Sequence, residues 1–121
     1  MKILSIDDNG EINSWFKTVF ESKNYEFTSI PSGKDGIRLI RDIKYDLVLL
    51  DIAKPGFSGQ DVIDALDKEN LLEKQPIILF TASSVTDTEM DNLIIRGVYQ
   101  CLRKPIKPEI VSSVLRGLTK K

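Results

Sequence analysis

Five short apolar runs alternate along the chain with five longer stretches in which apolar residues return every three or four positions. The runs are Lys2–Ile6, Tyr25–Ile30, Asp46–Leu50, Pro76–Phe80 and Gln100–Arg103. Ile3-Leu4-Ser5-Ile6, Leu47-Val48-Leu49-Leu50 and Ile77-Ile78-Leu79-Phe80 are almost unbroken in apolar character. A strand with one wet face alternates apolar and polar residues, whereas a strand covered by helices on both sides does not. These three segments therefore predict interior strands of a parallel sheet.

The stretches between them have helical spacing. The first carries Ile12, Trp15, Phe16, Val19 and Phe20, and the second Ile37, Leu39, Ile40 and Ile43. Ser32-Gly33-Lys34-Asp35 has the make-up of a capped helix start with an acid in its first turn. The third stretch carries Val62, Ile63, Leu66 and Leu71; the fourth carries Met90, Leu93 and Ile94 and stops near Gly97, a residue suited to a helix C-terminus. The fifth opens at Pro108, whose missing N–H is no loss in a first turn, and carries Ile110, Val111, Val114, Leu115 and Leu118.

Strand and helix repeated five times predict an α/β fold, a doubly wound five-stranded parallel sheet with right-handed crossovers. The 121 residues suggest one domain, 1–121. No linker, repeat or low-complexity segment interrupts them, and Lys120-Lys121 follow the fifth helix directly, so no output domain is expected within this chain.

Composition narrows the function by exclusion. With 17 basic and 18 acidic residues the net charge is −1, which offers no electrostatic case for nucleic acid or an anionic membrane. No run approaches the ~18 apolar residues of a membrane span, and Ile3–Ile6 meets Asp7-Asp8 too soon to be a signal peptide. The single cysteine, Cys101, rules out an internal disulfide and fits a reducing compartment. The expectation is a soluble, cytoplasmic protein.

In open α/β sheets, ligands gather beyond the C-terminal ends of the strands. Asp7 and Asp8 follow the first strand, Asp51 closes the third, Thr81 the fourth, and Lys104 follows the fifth. Three carboxylates on one rim raise one another's pKa, and a hard divalent cation relieves that. Mg²⁺ (or Mn²⁺) suits such a site, because it accepts a few carboxylates and keeps waters that a phosphate oxygen can replace. Cation and Lys104 would offset the charge of a phosphoryl group in transfer, and Thr81 could hydrogen-bond one of its oxygens. Taken singly, each residue has a plainer reading: a turn or N-cap aspartate, a structural threonine, a solvated lysine. Trp15, on the first helix, is read as packing.

Over essentially its whole length the sequence resembles the response-regulator receiver domains of two-component systems. Ile3-Leu4-Ser5-Ile6-Asp7-Asp8 resembles the family's first strand and acidic pair, and Tyr45-Asp46-Leu47-Val48-Leu49-Leu50-Asp51 the strand that ends in its phosphoacceptor. Asp51, Pro55 and Gly59 fall at the family's D-x-x-x-P-x-x-x-G spacing; Phe80-Thr81-Ala82 and Lys104-Pro105 match two further motifs. The resemblance implies strand order 2-1-3-4-5, the flavodoxin-like, CheY-like arrangement. It implies Asp51 as nucleophile and acyl-phosphate carrier, and Mg²⁺ held by the Asp8 and Asp51 side chains, by Asp7 directly or through water, and by the Ala53 backbone carbonyl. Thr81 and Lys104 would contact phosphoryl oxygens, small Ala82 would leave the phosphate accessible, and the Lys104–Pro105 bond would be cis. The implied donor is a histidine kinase or histidine phosphotransfer protein, with small-molecule donors such as acetyl phosphate also possible. The implied output is a changed surface of the fourth helix, fifth strand and fifth helix that binds a downstream protein, as a monomer or a phosphorylation-dependent dimer.

Several positions depart from the family. An aromatic switch residue usually stands three positions before the rim lysine; here that position is Cys101. Either Cys101 is a small buried hydrophobe and the ring readout is lost or altered, or Tyr99, two residues earlier, takes the ring's place. Lys54 replaces a residue that is often apolar, Ala53 and Ser83 are small where dephosphorylation is often tuned, and Lys107 replaces a more usual capping residue. The Cys101 substitution is the one feature favouring a degenerate receiver that acts only as an interaction module. A Mg²⁺-dependent phosphohydrolase would want a second acid close after the nucleophile, where Ile52-Ala53 stand, and a substrate cap. A flavin site would want Ser/Thr/Gly after the first strand, where carboxylates stand.

Overall fold

The computed structural model describes residues 1–52, 58–81, 85–104 and 107–119, with the backbone alone for Pro108, Leu118 and Thr119. The elements run β1 (Lys2–Ile6), α1 (Gly10–Glu21), β2 (Glu26–Ile30), α2 (Gly33–Asp42), β3 (Leu47–Asp51), α3 (Gly59–Lys68), a 3₁₀ turn (Leu72–Lys74), β4 (Ile77–Thr81), α4 (Asp87–Arg96), β5 (Gln100–Arg103) and α5 (Pro108–Thr119). All strand pairs are parallel, and the sheet order is β2-β1-β3-β4-β5. This is the order the family resemblance implies.

The unbroken apolar runs are the inner strands. Every residue of β3 and β4 is buried, and successive side chains feed opposite faces. On one face Leu4, Ile6, Val48, Leu50, Leu79 and Cys101 pack with α2, α3 and Leu93 of α4. On the other, Ile3, Leu47, Leu49, Ile78 and Phe80 pack with Phe16 and Phe20 of α1 and Val111 and Leu115 of α5. Each fully buried side chain of this kind contributes about 1.5–3 kcal/mol relative to exposure. Two such layers on a five-stranded sheet give a rigid platform.

Helix starts are set by short polar side chains that take up otherwise unpaired N–H groups. Asn9 accepts from the N–H groups of Glu11 and Ile12, Ser32 from Asp35, and Thr86 from Glu89. Ser58 and Asp61 close a reciprocal capping box at α3. The helix of α4 ends where Gly97 takes φ 130°, a conformation L side chains rarely adopt.

Three details differ from the sequence reading. Leu71 lies outside α3: Asn70 takes φ 59° and ends the helical path, and Leu71 packs on the core from the turn that follows. The 3₁₀ turn at Leu72–Lys74 has no counterpart in the periodicity. Ile94 and Ile110 are 41% and 43% exposed, because α4 and α5 flank the edge strand β5 and touch the core only along narrow stripes. At the floor of the sheet the buried Gln75 amide clamps Tyr45: its Oε1 accepts from the Tyr45 N–H at 3.1 Å, and its Nε2 donates to the Tyr45 and Pro76 carbonyls. Among the described residues no helix is long and apolar enough to cross a membrane.

Candidate functional site

The parallel register carries four strand ends to one rim. Ile6 pairs with Leu50, Asp51 with Phe80, and Thr81 with Arg103. Asp7, Asp51, Thr81 and Lys104 therefore converge, as the sequence predicted. Asp7 is 3% exposed, Asp51 5% and Thr81 0%. Asp8 is exposed beside them and does not cap α1; Asn9 does.

At the rim Lys104 meets Asp51, with Nζ donating to Oδ2 at 2.8 Å. The ammonium arrives there because the Lys104 N–H donates to the Thr81 carbonyl at 2.9 Å, extending the ladder one residue past β5. The Thr81 hydroxyl donates to the Leu102 carbonyl at 3.4 Å, a long and therefore weak bond. The Asp51 backbone is fixed from the far side by Gly59. A Cβ on Gly59 would stand 2.5 Å from the Ile52 α-carbon and 2.7 Å from the Asp51 carbonyl oxygen, so only glycine lets α3 begin this close.

Asp7 is oriented by its neighbours. Its Oδ1 accepts from the Asn9 N–H at 2.9 Å. Its backbone carbonyl accepts from the Asn13 amide at 2.8 Å, and Asn13 in turn accepts from the buried Ser5 hydroxyl at 2.8 Å. Burial is the main force that pushes the Asp7 carboxyl above its ordinary value. The Asn9 N–H pulls it down, the Asp51 charge pushes it up, Lys104 pulls it down, and Asp8 pushes it up again. Among the described residues the rim thus joins two buried carboxylates and the exposed Asp8 to the Lys104 ammonium.

Such a rim has the donors of a Mg²⁺ site: hard carboxylate oxygens whose mutual repulsion a divalent cation relieves. Among the described residues no group of three acidic or thiol side chains forms a ready-made metal cage. Mg²⁺ does not need one, since it is commonly held by one or two carboxylates with waters completing the octahedron. The Ala53 carbonyl, Lys54, Ala82, Ser83 and the Lys104–Pro105 bond lie outside the described residues.

Cys101 is buried, with Sγ 3.8 Å from the Met90 carbonyl under α4. Burial first, and the Asp91 charge second, push its thiol up. Tyr99 stands at the opposite end of β5 from Thr81. Its N–H donates to the Ile77 carbonyl, and its hydroxyl lies 3.7 Å from where a Cβ on Gly117 of α5 would be. At roughly 3.3 Å per strand residue, that is about 13 Å from the Arg103 end of the strand.

Sequence reasoning missed Asn9, Asn13 and Arg103. Asn9 was legible as an N-cap before Gly10-Glu11. Arg103 was legible as a cation one residue before Lys104 in an otherwise uncharged strand. Asn13 had no signal, because its role depends on facing back onto the end of β1.

Residues 3–116 match the response regulator receiver domain family, and the chain belongs to it. Members of this family are the receivers of two-component signalling. The chain is 29% identical over 119 residues to the phosphate regulon transcriptional regulatory protein PhoB of Pseudomonas aeruginosa, across 98% of this chain and 52% of that one. It spans about half the length of this and other curated regulators it matches. Among solved structures, the receiver domain of Francisella response regulator 1452 superposes with TM-score 0.84 at 26% identity, over 97% of this chain and 94% of that one. The receiver domain of sensor histidine kinase PA1611 from Pseudomonas aeruginosa shares the fold with TM-score 0.79 at 24% identity, over 97% and 95%, and is described with magnesium in its active-site cleft.

Proposed function

We propose that this receiver accepts a phosphoryl group on Asp51 from a phosphohistidine on a histidine kinase or histidine phosphotransfer protein, in the presence of Mg²⁺. The observation that carries the reading is the 2.8 Å contact of Lys104 Nζ with the buried Asp51 carboxylate, at the meeting point of four strand ends.

A carboxylate oxygen of Asp51 attacks phosphorus; the new O–P bond forms as the N–P bond of the donor breaks, and its electron pair leaves with the imidazole nitrogen. Lys104 moves its hydrogen bond from Oδ2 to an equatorial phosphoryl oxygen, and Thr81 turns its hydroxyl from the Leu102 carbonyl to another. Asp7, Asp8 and Asp51, with the Ala53 carbonyl, would hold Mg²⁺, which when bound supplies the charge neutralisation that phosphoryl transfer demands. The reading places the protein in the cytoplasm. Its output is a change of the surface formed by α4, β5 and α5, which binds a downstream protein, with this domain as a monomer or a phosphorylation-dependent dimer.

The test is intact mass after incubation with Mg²⁺ and a phosphoryl donor, phosphohistidine or acetyl phosphate. One phosphoryl group should be gained, and Asp51→Asn should abolish the gain. A chain that stays unmodified under every donor is an interaction module instead.

A further inference from the structure

Arg103 occupies an unusual place between the reacting rim and α4. Its backbone is flanked on both sides by Thr81: the Leu102 carbonyl before it accepts from the Thr81 hydroxyl, and the Lys104 N–H after it donates to the Thr81 carbonyl. Its side chain points away from that ladder. The guanidinium donates to the Val85 carbonyl and, at 2.6 Å, to the Asp87 carboxylate. Val85 and Asp87 bracket Thr86, the N-cap of α4, so one side chain grips the start of that helix.

Strand alternation puts Arg103 on the face of β5 that also carries Cys101. Cys101 packs with the core cluster under α4, whereas Leu102 belongs to the cluster on the α1–α5 side. The position where the family usually has a ring is thus filled by a small buried thiol. The next side chain along the same face reaches α4 by hydrogen bonds instead.

We infer that Arg103 is the positioning residue that carries the state of the Asp51 site to the first turn of α4, in place of an aromatic switch. The inference rests on the phosphoacceptor reading above and extends it. When the Thr81 hydroxyl leaves the Leu102 carbonyl for a phosphoryl oxygen, the peptide between Leu102 and Arg103 loses one bond beyond those of the β4–β5 ladder, and the guanidinium at the end of that strand shifts with it. The grip is suited to release. The Arg103 and Asp87 side chains are 36% and 92% exposed, and exposed ion pairs are weak enough to exchange with water. Ile95, 82% exposed on α4, is then carried by a helix whose start is either held or let go.

Amide hydrogen exchange tests this with BeF₃⁻ and Mg²⁺ as the phosphoryl mimic. In the unsubstituted protein, protection should change at residues 7–12, reporting the occupied rim, and by about threefold or more at residues 85–90. Arg103→Ala should keep the change at 7–12 and accept phosphate on Asp51 at an unchanged rate. Its exchange at 85–90 should be fast with or without BeF₃⁻. Asp87→Asn, at a residue too exposed to endanger folding, should shrink the response at 85–90 in the same direction. Arg103→Lys should restore part of it. Undiminished responses at 85–90 in Arg103→Ala and Asp87→Asn would overturn the inference while leaving the phosphoacceptor reading intact. No BeF₃⁻-dependent change at 7–12 in the unsubstituted protein would overturn both.

Discussion

Lys104 Nζ and Asp51 Oδ2 stand 2.8 Å apart, although the two residues come from strands separated by β4. The contact spans the width of that strand because Lys104 leaves the sheet just past its ladder and turns back over Thr81. The hydrogen bond fixes one oxygen of the buried Asp51 carboxylate and, on the proposed reading, places an ammonium beside the phosphoryl group in transfer.

Lys104→Ala should therefore slow phosphorylation of Asp51 by about 100-fold, the scale of losing one preorganised charge-stabilising donor. Initial rates by intact mass would measure it, with circular dichroism to show the fold unchanged. A rate within threefold of the unsubstituted protein would remove Lys104 from the chemistry.

Burial first, and then the charges of Asp51 and Asp8, push the Asp7 carboxyl above its ordinary value, against the Asn9 N–H and Lys104. A carboxyl whose folded pKa is raised favours the folded state most below its ordinary value of 3.8 and loses that contribution as pH rises through the raised one. At neutral pH the ionised group is a burden that a divalent cation relieves. Asp7→Asn should raise the melting temperature in EDTA at pH 7 and shrink the gain that Mg²⁺ gives the unsubstituted protein. Equal Mg²⁺ gains in both would place the cation elsewhere.

Gly59→Ala puts a methyl group against backbone atoms that cannot yield. The expected loss is about 1–3 kcal/mol by urea unfolding, the usual cost of overpacking. Because the atoms struck belong to Asp51 and Ile52, phosphorylation should slow in the same variant under conditions where it remains folded.

Cys101 should react slowly with a thiol reagent in the folded protein and at least about 100-fold faster in denaturant, since the thiolate is the reacting form and burial disfavours it. Its contribution to stability is fully present below the ordinary thiol value of 9.0 and is lost as pH rises through the raised one. Rapid labelling at pH 7.5 in buffer would show that α4 lifts off β5 readily.

The inner strands could be read within a residue of their bounds because burial on both faces leaves no other pattern for Leu47–Asp51 or Ile77–Thr81. Asp7, Asp51, Thr81 and Lys104 could be placed together because a parallel sheet collects strand ends, whatever lies between them. What escaped depends on geometry that no periodicity encodes. Leu71 fits the helical repeat, yet Asn70 turns the chain left-handed before it. Ile94 fits the stripe of α4, yet an edge helix has too little core to cover it. Arg103 drew no reading of its own, because Asp87 becomes its neighbour only when β5 and the start of α4 meet.

The aromatic layer beneath the rim has an optical consequence. Trp15, the single tryptophan, sits edge-on to Phe16 with ring centres 5.2 Å apart; Phe16 stacks on Phe80 at 5.9 Å, and Phe80 pairs in the sheet with Asp51. One ring, Phe16, thus stands between the indole and Phe80, the strand partner of Asp51. On the proposed reading the indole emission should change as metal, phosphoryl donor or mimic is titrated in, a label-free signal from the Asp51 carboxylate.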